Sequence, residues 1–179
     1  MHSILSISMF MKKIFYLAAL VVLLAACNEN TPETPAQPET PAQTVSFAQA
    51  ALFEAMGANT VPNVDGELHD QAFVKDSVRV EAKIVSDSTL DIYLYGINFS
   101  SRMPMTIDMV IPAAQYERTT EHITFFGDSI VPMMGGNPFA KYIITGLSGT
   151  ISADSLVFTN NYGTYLDCSY AGKITKLAE

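Results

Sequence analysis

No long hydrophobic run occurs in the sequence: its most apolar stretch, residues 14–24, holds eleven residues, too few to cross the ~30 Å of bilayer hydrocarbon as a helix. Cysteine is nearly absent. Of the two in 179 residues, Cys27 stands just after that stretch and Cys168 lies towards the other terminus. With Cys27 taken up in the chemistry described below, no intramolecular disulfide can form. Positive charge is scarce as well, 10 Lys and Arg against 18 Asp and Glu. Such a surface repels polyanions, which excludes nucleic acid as a partner. Charged residues of both signs make up only 16% of the chain, and 49% of it is hydrophobic, enough for a real core.

What is present begins with Lys12 and Lys13, the apolar run, and then Leu24-Ala25-Ala26-Cys27. A basic start, a short apolar segment and small residues before a cysteine match a bacterial lipoprotein signal, with residues 1–26 removed and Cys27 acylated as the first mature residue. Residues 1–10 carry no Asp, Glu, Lys or Arg, so Met11 reads as the true start. Removal of Lys12 and Lys13 with the signal leaves a net charge of about −10. Several acyl chains on Cys27 would anchor the protein to a membrane stably, where a single chain binds only marginally. Cys168 has no Lys, Arg or His beside it in sequence and reads as a small buried strand residue.

Residues 27–44 are the lipidated cysteine and a spacer in which Pro-Glu-Thr-Pro-Ala-Gln occurs twice, at 32–37 and 38–43. Proline at every third position without aromatic or branched aliphatic residues cannot build a core and favours an extended stalk. Residues 45–179 form the single domain. There the hydrophobic period is two. Val78, Val80, Ala82 and Ile84 alternate with Arg79, Glu81 and Lys83, and after the Asp87-Ser88 turn Leu90, Ile92, Leu94 and Gly96 alternate with Asp91, Tyr93 and Tyr95. Met105, Ile107, Met109 and Ile111 alternate with Thr106, Asp108 and Val110 up to Pro112. Further strands are expected at 122–126, 141–147, 155–159 and 164–174, with a weaker first one at 67–73, and a short helix at 47–56. About eight mostly antiparallel strands joined by short turns predict an all-β fold, an eight-stranded up-and-down barrel, with a sandwich as the alternative.

The strand Asp91-Ile92-Tyr93-Leu94-Tyr95-Gly96 running to Phe99, Met103-Pro104-Met105 leading to Ile111-Pro112, Gly146-Leu147-Ser148-Gly149-Thr150-Ile151 and Tyr170-Ala171-Gly172-Lys173 resemble the calycin-like β-barrel domain of lipoproteins from the Bacteroidetes. The likeness covers roughly residues 66–173. It implies a lipocalin-like barrel on a lipid anchor at the outer membrane, on its periplasmic side or at the cell surface. With no tryptophan anywhere, the Gly-X-Trp signature of true lipocalins is missing. Only two acidic residues, Glu29 and Glu33, follow closely on Cys27, a weak form of the surface-export pattern of such lipoproteins.

Phe126-Gly127-Asp128-Ser129-Ile130 is similar to the nucleophile block of Gly-Asp-Ser-Leu hydrolases. That chemistry needs a histidine base near the C-terminus, and none follows His122, so no enzyme is expected. Asp-Ser before an apolar residue or threonine recurs at Ser77, Ser88, Ser129 and Ser155, which is turn chemistry at strand starts. The same four serines resemble the O-glycosylation sequon of Bacteroidetes and are candidate modification sites. His69 beside Asp70 and His122 beside Glu121 lack metal-ligand spacing, so neither a metal nor another cofactor is expected. Gly135-Gly136-Asn137 lacks the residues of a phosphate loop and reads as a flexible connection.

Methionine is the more informative residue. Phe99, Met103, Met105, Met109, Met133 and Met134 are the candidate ligand-binding set, because thioethers fill irregular apolar space and adapt to ligands. Met105 and Met109 would point into the barrel, and Met133 and Met134 would lie on a gating loop. The expected function is a non-enzymatic binding module for a small apolar molecule or hydrophobic moiety. The alternative is a filled barrel whose outer face, carrying Tyr93 and Tyr95, binds another envelope protein.

Overall fold

The computed structural model describes residues 45–62, 72–164 and 166–179. Ten strands follow in order: β1 (Leu52–Val61), β2 (Phe73–Ile84), β3 (Thr89–Ile97), β4 (Ile107–Arg118), β5 (Ile123–Gly127), β6 (Met133–Met134), β7 (Asn137–Pro138), β8 (Ile144–Ile151), β9 (Ser155–Tyr162) and β10 (Leu166–Ala178). One 3₁₀ turn, Ala140–Tyr142, precedes β8. All pairings are antiparallel. The order β3-β2-β1-β10-β9-β8-β5-β4 closes on itself through β3 and β4, giving an eight-stranded up-and-down barrel. Closure leaves no long sheet edge exposed. The tiny β6–β7 hairpin leans on β4 beyond the reach of the short β5, pairing Met134 with Met109 and Met133 with Val110.

Period two sets the wall. Val78, Val80 and Ala82 of β2 and Leu90, Ile92 and Leu94 of β3 point inward and are buried, while Arg79, Glu81, Lys83 and Asp91 face out. An apolar interior within a charged outer wall is the reverse of a membrane-spanning barrel.

Two glycines make room for a row of rings, and a third lets backbones approach. A Cβ on Gly149 would lie 2.2 Å from Phe125 Cζ, and one on Gly172 would lie 2.4 Å from the Tyr170 hydroxyl. On Gly57, paired with Gly172, a Cβ would meet the Ala171 carbonyl at 2.0 Å. Phe125 tilts against Phe158 with centroids 6.0 Å apart, and Phe158 stacks on Tyr170 at 5.3 Å. The Tyr170 hydroxyl then donates to the Val78 carbonyl at 3.1 Å. The row crosses the interior from β5 to β2.

Several expected boundaries differ. Residues 47–56 are not a helix: Gln49 and Ala50 N–H donate to the Ser46 carbonyl in a turn, and β1 starts at Leu52. Alanine-rich local preference yields because β1 hydrogen-bonds strands on both sides, Leu52 pairing with Lys83 and Ala178. The third expected strand begins at Ile107, not Met105, and passes Pro112 to reach Arg118. Proline is tolerated there because Pro112 and Ala113 bulge opposite Asp91. Ala113 adopts a φ of 53° and gives its N–H to Asp91 Oδ1 at 2.8 Å. Gly135 and Gly136 turn the β6–β7 hairpin instead of forming an open connection. Asp76-Ser77 sits inside β2, at a bulge against Gly57 to Asn59 with Ser77 at a φ of 58°, and not at a strand start. Of the expected strand 67–73, residues 67–71 lie outside the described residues, as do residues 1–44 with Cys27 and the spacer.

Candidate functional site

The barrel interior is the first place to look for a ligand, and side chains fill it. Phe53, Leu90, Ile111, Ile123, Phe125 and Leu156 have 0% accessible surface. A water-sized sphere therefore touches none of them, neither from bulk solvent nor from an enclosed void. Both ends are covered. At one, Phe47 packs on Phe53 at 5.4 Å, and the Arg118 guanidinium lies over both rings and donates to the Phe47 carbonyl. At the other, Phe99 contacts Tyr162 at 4.9 Å and Tyr142 at 6.2 Å, and Phe139 adds a fourth ring against Tyr142 at 5.1 Å.

The methionine set is only partly brought together. Met109 is buried in the barrel, and Met134 packs against the core beside it. Phe99 is 6% exposed and sits under the end cover with Met103, whose sulfur accepts the Phe99 N–H at 3.5 Å. Met133, paired with outward-facing Val110, is half-buried on the wall side. Met105 departs from expectation, being 66% exposed. Asn98 explains this: its Oδ1 accepts the Ser100 N–H and its Nδ2 donates to the Met103 carbonyl, bending the chain into a turn so that no strand flanks Met105.

The four candidate serines lie apart. Ser77, Ser88 and Ser129 are exposed; Ser129 Oγ donates to Asp128 Oδ2 at 3.1 Å. Ser155 is half-buried, its Oγ 2.8 Å from Ser152 Oγ. His122 is held by Thr119 in the β4–β5 turn, whereas Ser129 follows the far end of β5, so the two cannot act on one another.

Buried titratable groups cluster where β9 meets β10. Burial pushes the Cys168 thiol from its ordinary 9.0 up to about 12, with the Asp167 carboxylate adding to the effect. It also pushes the Tyr162 and Tyr170 hydroxyls above 10.0. These groups keep their protons in the folded state and release them when unfolded. The stability they contribute is whole below about pH 9 and is lost as the pH rises towards 12. Thermal unfolding followed from pH 8 to pH 12 is expected to show a falling midpoint, with a shallower slope in Tyr170→Phe. Iodoacetamide at pH 8 is expected to leave folded Cys168 unlabelled and to label it in urea.

Two features of the outer wall stand out. On β1, β2 and β3, Met56, Arg79 and Tyr95 form one cross-strand row, and Glu54, Glu81 and Tyr93 the next. Arg79 lies 3.8 Å over the Tyr95 ring and 2.9 Å from Glu81, and the Tyr95 hydroxyl donates to Glu81 at 3.1 Å. Burial first, and the neighbouring carboxylates Asp91 and Glu81 next, raise the pKa of Tyr93 and Tyr95. On the β8–β9–β10 side a groove of about 380 Å³ is lined by Pro62, Thr145, Gly146, Thr159, Asn161, Asp167 and Ser169, and reaches Asn160 and Cys168. Sequence reading passed over this groove. Its one signal was Asn160, standing at an inward position of β9 between Phe158 and Tyr162.

No curated protein and no solved structure matches the chain. The model of the prokaryotic membrane lipoprotein lipid attachment site matches residues 11–28, which contain the Leu24-Ala25-Ala26-Cys27 motif. The chain is thus a lipid-anchored β-barrel protein whose anchor is Cys27.

Proposed function

We propose that this protein is a non-enzymatic outer-membrane lipoprotein of the calycin-like kind that docks another envelope protein through its outer wall. The observation that carries the reading is the filled interior: the core side chains that would line a ligand cavity have little or no accessible surface, and aromatic side chains cover both ends. This favours the filled-barrel alternative over an apolar cargo. The Met56–Arg79–Tyr95 row and adjoining Tyr93 supply the docking face. Tyr, Arg and Met are enriched where proteins meet, and here the guanidinium, both tyrosines and Glu81 are pre-positioned by their own contacts.

A benzophenone amino acid at Met56, 41% exposed in that row, is expected to crosslink one discrete envelope protein in cells. The adduct should disappear with Arg79→Glu, and the same probe at Thr124, on β5, should give none. Native protein denatured after purification should release no stoichiometric apolar compound. Absence of an adduct from Met56, or release of such a compound, would return the function to the interior.

A further inference from the structure

We infer that the groove over Gly146 is a binding site for a small neutral polyhydroxyl ligand, a mono- or disaccharide. It lies on another wall than the tyrosine row and does not depend on it.

Its shape comes from register. Thr145 pairs with Asn161 and Ser148 with Thr159, so Gly146 and Leu147 together face the single residue Asn160. Gly146 has a φ of 58°, and a Cβ there would meet nothing within 4 Å. The missing side chain is part of the opening.

Its chemistry comes from what lines it. Asn161 Nδ2 donates to Asp167 Oδ1 at 2.8 Å, which fixes both side chains on adjacent strands. Asn161 Oδ1 is buried without a hydrogen-bond partner among the described residues. A buried acceptor of this kind is costly unless something meets it. A ligand rich in hydroxyls both donates and accepts, and the hydroxyls of Thr145, Thr159 and Ser169 do the same around the rim.

Other ligand classes fit less well. β8 and β9 contain no charged residue, and among the described residues the one carboxylate lining the groove is already bonded to Asn161, which leaves little for a cation. An anion would meet Asp167 and a net charge of about −10 on the mature chain. Among the described residues no large apolar side chain lines the groove. Its volume falls at the small end of the ~300–1,000 Å³ typical of ligand sites.

The test uses the full lipidated chain in nanodiscs with ¹³C-methyl threonine. Glucose, galactose, mannose, N-acetylglucosamine, maltose and cellobiose are titrated singly, with glucose 6-phosphate and putrescine as charged controls. At least one neutral sugar is expected to shift the Thr145 and Thr159 methyl signals saturably, leaving Thr89 and Thr119 at the far end still. Asn161→Ala and Asp167→Ala should each weaken that binding about tenfold with the other methyl signals in place. If either variant fails to fold, Ser169→Ala should still weaken it about threefold. The inference is overturned if no neutral sugar moves the two groove methyls, if a charged control moves them as strongly, or if the variants bind like the unsubstituted chain.

Discussion

Replacing Phe125 with alanine is expected to destabilise the barrel by about 3–5 kcal/mol, as truncation of a fully packed phenylalanine does. The ring is wholly buried, tilts against Phe158 at 6.0 Å and lies over Gly149, which has no side chain to move into the space left behind. Nor can the wall collapse, since β5 and its neighbours β4 and β8 are fixed by ladder hydrogen bonds. The variant should therefore keep a dry apolar hole and take up benzene, with partial recovery of stability. Urea unfolding measures the first effect, and its repetition with benzene the second. A loss below about 1 kcal/mol would mean that the interior is not packed as described, and with it the argument against an internal cargo would fall.

The pairing of Phe125 with Gly149 gives a sharper form of the same result. Gly149→Ala alone places a methyl 2.2 Å from Phe125 Cζ and should cost on the order of 1–3 kcal/mol by overpacking. In the Phe125→Ala background the clash with the ring is gone and only the contact with Phe158 Cβ, at 2.5 Å, remains, so the same methyl costs less than it does alone. The two changes are expected to be non-additive, with the double variant more stable than the sum of the single losses allows.

Much of this interior was legible in the sequence because a strand's period is two and needs no partner to be seen. The inward sets of β2 and β3 follow directly from alternation at 78–82 and 90–94. Where reading failed, the deciding partner lay far along the chain. Alanines between 48 and 55 suit a helix locally, yet β10, more than 100 residues away, accepts the Ala51 N–H and pairs with Ala55 in β1. Met105 continues an alternating pattern in sequence, but the Asn98 turn ends the sheet before reaching it. The groove was the least legible. It exists because a bulge at Gly146 falls opposite Asn160, and register between β8 and β9 is written in neither strand alone. Cys27 was the most legible, since a lipid attachment signal is read by its own local chemistry and needs no fold.

Cys27→Ala is accordingly expected to have the largest effect on where the protein resides. Without the thiol no acyl chain can be attached, so incorporation of a fatty-acid label should fall to background. The apolar run of eleven residues would span only ~17 Å as a helix, against ~30 Å of hydrocarbon. Among the described residues no helix is long and apolar enough to cross a membrane. An acidic surface offers no attraction to anionic headgroups that could supplement a single chain. Two consequences follow. Intact mass of the unsubstituted protein should show at least two acyl chains on Cys27, because one alone would hold this domain only transiently. The membrane-bound share of the Cys27→Ala variant, measured after a high-salt wash that strips partner-bound protein, should drop to a small fraction of that of the unsubstituted chain. A variant that stays with the membrane through that wash would show a second attachment to lipid, and the outer wall would then have to be read as a membrane-binding surface.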